Sequence, residues 1–248
     1  MNKSVYVCYM ANDRDLKGVL INNYQLKKLN SKYNLVCLVT KLVTKESISI
    51  LQRFNIFCIN INFYENLTMF KIDKIKIDYL FNQFYFGKLF IFLMTQYEKI
   101  IYLDTDLLIV KNIDHLFEKD IHKNTIIMTR DTLLTNNKNN HFNILKTVNT
   151  FSSGVIIFKP NYSFFQKACS LINNKKIDGI KKWYGDQGIF NELYKQNKIN
   201  VDIMEYKYNA VSGVLDFYIN NNLLKEDNIY IIHFGLNPKP WGNVVSRM

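Results

Sequence analysis

The chain reads as an α/β protein built on a parallel, nucleotide-binding sheet with flanking helices. Two observations predict this. The first quarter of the sequence alternates short apolar runs with amphipathic stretches, in the order β-α-β-α-β. Further on, an apolar run ends abruptly in acids, I-I-Y-L-D-T-D at Ile100–Asp106. Open α/β sheets bind their ligands beyond the carboxyl ends of such strands.

The elements follow in order. Val5–Tyr9 is apolar and reads as the first strand, and Asn12–Asp15 is a polar turn. Leu16–Leu29 carries apolar residues at 16, 19, 20, 26 and 29, close to helical spacing. Leu35–Val39 is the second strand. Thr44–Phe54 is a second helix with Thr44 as its N-cap, and Ile56–Ile61 the third strand. Tyr85–Tyr97 is predicted helical and leads into the aspartate strand. Ile126–Met128 and Val155–Phe158 read as strands, Tyr162–Ile172 and Asp186–Tyr194 as helices, and Ile229–Ile232 as a last strand ending in His233. Asn136–Asn149 is polar, loop-like and without an acid. No internal repeat and no domain boundary is visible, so residues 1–248 read as one domain.

Composition agrees. A chain of 248 residues, 48% hydrophobic, buries roughly 70–75% of its unfolded surface. With 9 Gly and 3 Pro, long disordered linkers are not expected. The heavy use of Asn, Lys and Ile reads as low-GC coding. The formal charge of +11 is spread along the chain in lysine pairs, with no aromatic-interleaved basic repeat and no nucleic-acid module. A solvated surface with a few lysines serving an anionic substrate is expected, and no nucleic-acid partner. Cysteines at 8, 37, 58 and 169 lack C-x-x-C or zinc spacing and point to a reducing compartment. The apolar run at the N-terminus is too short for a signal peptide, and no window reaches transmembrane length. A cytoplasmic protein without membrane partners is expected.

The chemistry concentrates in four segments. In an extended chain, residues i and i+2 point to one side, so Asp104 and Asp106 present two carboxylates to one site. Hard oxygen donors there suit Mg²⁺ or Mn²⁺ bridged to a phosphate. F-S-S-G-V-I-I-F-K-P at 151–160 puts small residues at a strand mouth, where backbone can approach a ligand. W-Y-G-D-Q-G at 183–188 starts a helix with Asp186 and Gln187, and helix capping is the ordinary role for such an acid. H-F-G-L-N-P-K-P-W at 233–241 joins an imidazole, a third ligand for Mn²⁺, to a lysine suited to phosphate.

Taken in order, these motifs resemble family 8 glycosyltransferases, the glycogenin branch in particular. N-D-x-x-x-K-G at Asn12–Gly18 is similar to the opening that holds the uridine nucleotide. G-K-L at 87–89, Y-L-D-T-D, S-S-G-V, G-D-Q-G and H-F-x-x-x-x-K-P-W match the family's later motifs, and the resemblance runs nearly end to end. It implies a GT-A type fold, a Rossmann-like sheet with flanking helices in a single domain. It implies retaining transfer of a hexose, glucose in the first instance, from a UDP-sugar to a hydroxyl acceptor, with Mn²⁺ as metal and Mg²⁺ as the alternative. By the resemblance, Asp104, Asp106 and His233 bind the metal. Gly235 and Lys239 hold the diphosphate, with Trp241 beside them. Tyr9, Asn12 and Lys17 lie near the nucleotide, and Lys88, Ser152, Asp186 and Gln187 face the donor sugar or acceptor. Relatives often pair, which leaves a homodimer open.

The chain departs from the glycogenin pattern at three places. Ser152 stands for an asparagine, Trp183 for an acid, and the loop at Asn136–Asn149 lacks the acid that contacts glucose. Two other readings exist. A degenerate member would bind sugar nucleotide without turnover. The D-T-D-L-L run also resembles the first motif of aspartate-nucleophile phosphatases, although that motif normally lies on the first strand of its fold.

Overall fold

The structure, a computed structural model, describes residues 3–61, 86–122, 124–131, 150–173, 185–235 and 239. Strands β1 (Ser4–Met10), β2 (Leu35–Val39), β3 (Phe57–Asn60) and β4 (Lys99–Leu103) run parallel, as the β-α-β-α-β order predicts. Helices α1 (Leu16–Lys28) and α2 (Lys45–Arg53) make the crossovers from β1 to β2 and from β2 to β3. Thr44 caps α2, its side chain accepting from the Ser47 N–H.

The other half of the sheet is mixed. β7 (Phe151–Phe158) is antiparallel to β4 and to β6 (Thr125–Arg130), while β8 (Asn200–Met204) runs parallel to β6 at the edge. Among the described residues the central sheet thus has seven strands, in the order β3-β2-β1-β4-β7-β6-β8. Helices α3 (Tyr162–Asn173) and α4 (Asp186–Lys195) follow β7 in the chain. A small second sheet is built from β5 (Leu107–Ile109), β9 (Ala210–Val211) and β10 (Ile231–His233), with β10 in the middle. The short helix α5 (Leu215–Asn220) lies between β9 and β10 in the chain. Among the described residues, no helix is long and apolar enough to cross a membrane.

The central strands read as unbroken apolar runs because both faces are covered. Alternate residues go to opposite sides. Val5, Val7, Tyr9, Ile100 and Tyr102 join a core with α3, α4 and the segment 87–93. Tyr6, Cys8, Met10, Ile101 and Leu103 join a second core with α1 and α2.

Several expectations are corrected. The stretch from Tyr85 is not an α-helix where it is described: Gly87–Leu93 is a fully buried 3₁₀ helix. A segment buried on every side, Lys88 included, has no solvent face, and burial fixes it where helical periodicity does not. The polar turn expected at 12–15 is present, as a 3₁₀ turn, Asp13–Asp15, capped by Asn12. β7 begins four residues earlier than its apolar run, so the serines and Gly154 lie inside the strand rather than at its mouth. Strands β5, β8 and β9 have no counterpart in the sequence reading; β8 is largely exposed along its length and carries little apolar signal.

Candidate active site

The carboxyl ends of β1, β2 and β4 open on one cleft of about 920 Å³. Ala11–Asp15 line it from β1, Leu42 from β2, and Asp104 and Thr105 from β4. Tyr9, Lys88, Tyr102, Ser153, Asp186 and Gln187 complete the wall. Gly18 lets α1 close this end of the sheet: a Cβ there would lie 1.9 Å from the Thr105 carbonyl oxygen.

Asp104 and Asp106 are not in extended chain. β4 stops at Leu103, residues 104–106 turn, and the chain departs into the second sheet as β5. The two carboxylates converge because of this turn, and not through the alternation of a strand. Bonds to its backbone hold the turn. Asp104 N–H donates to the Gly154 carbonyl at 2.9 Å, and Phe234 N–H to the Asp106 carbonyl at 2.9 Å. The Asn22 side chain on α1 donates to the Asp104 carbonyl at 2.9 Å.

His233 ends β10, which pairs antiparallel with β5 and so returns to the aspartates. Its Nε2 lies 3.2 Å from Asp106 Oδ1 and 3.9 Å from Asp104 Oδ2. One potential ligand atom from each of the three residues falls within a 4.8 Å cluster. The ring orientation is set from behind. Asn209 Nδ2 donates to Ser152 Oγ at 3.0 Å, so its Oδ1 is the acceptor facing His233 Nδ1 at 2.9 Å. Nδ1 therefore carries a proton, and Nε2 points at the aspartates. Gly154 makes room for this ring: a Cβ there would stand 2.4 Å from His233 Cε1.

Lys88 is buried and links the metal-type acids to the second acidic position. Its ammonium lies 2.9 Å from Asp104 Oδ1 and 2.8 Å from Asp186 Oδ2. It also donates to the Ser153 carbonyl at 3.0 Å and sits over the Tyr102 ring. Burial would lower its pKa, but the two carboxylates outweigh that and raise it. Burial holds the Asp104 carboxyl above the usual range despite Lys88, with Asp106 adding to the effect. Burial also opposes ionisation of Asp106, yet His233 and Lys239 prevail and bring it down to about 2. The Tyr102 hydroxyl donates to Asp104 Oδ1 at 2.8 Å, and burial with that carboxylate pushes the phenol upward.

Other expected residues fall into place unevenly. Tyr9 lines the cleft with Asn12 and shares a core with the segment that carries Lys88. Asp186 starts α4 but is not its cap; Gly185, at φ 60°, holds the cap position, and Asp186 turns to Lys88 instead. Gln187 is gripped at both ends, its Nε2 donating to Asp131 Oδ2 at 2.7 Å and its Oε1 accepting from Ser153 N–H at 3.2 Å. Ser152 is buried against Asn209, on the face of β7 away from the cleft, and Ser153 takes the cleft position. Lys17 is exposed on the first turn of α1 and is not among the cleft-lining residues. Lys239 is ion-paired with Asp106 and donates to the Phe234 carbonyl at 2.7 Å. Gly235 lies against the His233 ring. Trp241, Trp183 and the loop 136–149 lie outside the described residues.

Two residues escape the sequence reading. Asp131, at the end of β6, brings a carboxylate to Gln187 from just ahead of the acid-free loop. Asn209 orients His233. Asp131 follows a strand as Asp104 does, which is its available signal; Asn209 sits in Y-N-A-V among many other asparagines.

Among known proteins, the model of the family described as Glycosyl transferase family 8 matches residues 6–244. An uncharacterized protein, R707, of Acanthamoeba polyphaga mimivirus is 29% identical over 99% of this chain and 85% of its own length. Glycogenin-1 of Mus musculus is 24% identical over 97% of this chain, which spans 66% of that protein. The crystal structure of the galactosyltransferase LgtC, with donor and acceptor sugar analogs, superposes with a TM-score of 0.68 at 17% identity, covering 97% of this chain and 90% of that one. The fold is of the GT-A type, and the chain belongs to glycosyltransferase family 8.

Proposed function

We propose that the protein is a retaining, Mn²⁺-dependent transferase that moves a hexose from a UDP-sugar to a hydroxyl acceptor, with residues 1–248 as one catalytic domain. The observation that carries this reading is the approach of His233 to Asp106. With Nδ1 protonated, a neutral imidazole would set its Nε2 lone pair against a carboxylate oxygen at 3.2 Å. A proton or a cation must lie between them. Three converging donors, two carboxylates and one imidazole, fit a divalent ion, and Mn²⁺ accepts that mixture well, with Mg²⁺ as the alternative. Asp104, Asp106 and His233 would hold it, and when bound it would supply positive charge to the departing diphosphate.

The protein's own groups do the rest. Lys239, which is ion-paired with Asp106, would hold the diphosphate, with the backbone at Gly235 beside it. Asn12 and the turn that follows border the nucleotide end of the cleft. Lys88 keeps Asp104 and Asp186 together against their mutual repulsion. Asp186 presents its carboxylate to the sugar, where it stabilises positive charge at the anomeric carbon and positions the ring; acting as nucleophile is the lesser option. In front-face transfer the leaving phosphate oxygen takes the acceptor's proton, so no separate base is required. Water exclusion from the cleft strengthens every one of these contacts. Glucose is the first sugar to test. The free thiols at 8, 37, 58 and 169 support a cytoplasmic setting.

UDP release from a panel of UDP-sugars, with Mn²⁺ or with EDTA, tests the reading on wild type and Asp104→Asn. Mn²⁺-dependent release from one sugar, lost in the variant, is expected. UDP binding without release from any sugar would replace transfer by a binding-only role. The family match leaves the aspartate-phosphatase reading without support.

A further inference from the structure

β4 ends at Leu103, and two peptides, Asp104–Thr105 and Thr105–Asp106, then join the two acids of the site. Both peptides rest on α1. Asn22, fully buried on that helix, donates from Nδ2 to the Asp104 carbonyl at 2.9 Å. One turn earlier, Gly18 lets the Thr105 carbonyl in, where a Cβ would stand 1.9 Å from its oxygen. A peptide is planar, so holding the Asp104 oxygen also fixes the direction in which Thr105 and Asp106 leave. The Asp104 carboxylate is held separately, by Lys88 and Tyr102. The Asp104 N–H and the Asp106 carbonyl bond to other backbone. Asn22 brings a side chain to the turn, and a side chain can be changed.

We propose that Asn22 is a positioning residue that sets the spacing of Asp104 and Asp106, and through it which divalent ion the site takes. This rests on the metal site of the transferase reading. The amide is held at a cost. Because Nδ2 must face the carbonyl, the buried Oδ1 is left without a hydrogen-bond partner among the described residues. A half-satisfied buried amide lowers stability, so its donor must serve something. Asn23 supplies the comparison. It makes the same kind of bond, from Nδ2 to the Phe54 carbonyl at 3.1 Å, but at the end of α2 and away from the acids. The two asparagines differ in what they hold and not in how they hold it. Ions respond differently to a loosened turn. Mg²⁺ demands near-ideal octahedral placement of its donors, while Ca²⁺ accepts more oxygens at longer and more variable distances. A turn pinned to α1 favours the stricter ion, and a freed one gives up that preference.

Binding of Mn²⁺ alone, read by electron paramagnetic resonance of the free ion with Mg²⁺ and Ca²⁺ as competitors, tests this. Wild type is compared with Asn22→Leu and Asn23→Leu, since leucine keeps the approximate shape and removes the donor. Asn22→Leu should weaken Mn²⁺ and Mg²⁺ about tenfold and Ca²⁺ less than about threefold, so that the preference for the stricter ions narrows. Asn23→Leu should bind every ion within about twofold of wild type. Without metal, the two variants should melt within about 4 °C of each other. Asn22→Ser, whose shorter hydroxyl turns back to its own helix, should repeat the ion pattern and serves if the leucine variant does not fold. Mn²⁺ affinity kept within about twofold in a folded Asn22 variant would overturn the proposal. So would an equal loss for all the ions, or an equal loss in Asn23→Leu, each the mark of general loosening. Wild type that binds none of these ions would instead remove the metal site, and the transferase reading would fall with it.

Discussion

At the scale of single residues, the site is organised by groups that touch no substrate. Asn209 shows this best. Its amide decides which nitrogen of His233 faces the aspartates. Outer partners of this kind typically affect metal affinity about 10- to 100-fold. Asn209→Leu should therefore weaken Mn²⁺ binding by about that factor, read by electron paramagnetic resonance of free Mn²⁺. Asn209→Asp, which keeps an acceptor for Nδ1–H, should recover most of the loss. Lys88→Met makes a different prediction. It leaves two buried carboxylates without their cation, which costs about 3–5 kcal/mol. Urea unfolding of the metal-free protein should show a loss of that size; an unchanged midpoint would mean that solvent already screens the pair. Much of the site is legible in the sequence as residue types. Asp104, Asp106 and His233 read as a set, and the structure brings them together. Orientation is what the sequence hides. Ser152 and Ser153 look equivalent in S-S-G-V, and only the direction of β7 tells which one faces Asn209 and which one the cleft.

At the scale of elements, asparagine has a role that composition conceals. Asn30, Asn55, Asn197 and Asn222 all have positive φ, and each lies just past the end of α1, α2, α4 or α5. Asparagine tolerates the left-handed conformation better than other residues with side chains. A chain with 9 glycines thus closes helices with the residue it has in abundance. Asn30 N–H donates to the Lys27 carbonyl and Ser31 N–H to that of Leu26, which satisfies the end of α1. Asn197→Gly should raise stability by about a few tenths of a kcal/mol and Asn197→Ala should lower it by about 1–2 kcal/mol, compared by chemical denaturation. Gly18 tests the reverse case. Propensity alone says that Ala on α1 would gain about 1 kcal/mol. The Thr105 carbonyl lies in its way and belongs to backbone that cannot rotate aside. Gly18→Ala should be destabilising overall and lower the melting temperature. Periodicity locates α1 and α2 to within a residue because each has one dry face. It fails for 87–93, where every residue is buried and no face stands out.

At the scale of the whole molecule, the parallel half of the sheet is legible in the sequence and the mixed half is not. Strand order beyond β4 depends on β7 running antiparallel between β4 and β6, and apolar runs carry no direction. The cysteines illustrate long-range order that sequence hides. Cys8, Cys37 and Cys58 stand in register across β1, β2 and β3. Burial pushes the Cys58 and Cys169 thiols up to about 12. At a pH of about 8, only about one such thiol in ten thousand is ionised. Reaction of the folded protein with a disulfide reagent should therefore be slow and quicken as pH rises, while the unfolded chain should release all four thiols at once. Rapid labelling of Cys169 in the native protein would show that α3 opens readily.

The pairing of β10 with β5 reaches further than the geometry of one histidine. His233 lies far along the chain from the aspartates, and the antiparallel ladder between β5 and β10 closes that distance. During synthesis, the parallel core of β1 to β4 is made well before β10. Until β10 docks, the cleft would hold only two of the three residues proposed to bind the cation. On that reading, cation capture would wait on one pairing: a chain folded as far as β4 would still be silent, and the site would switch on only as β10 joins β5.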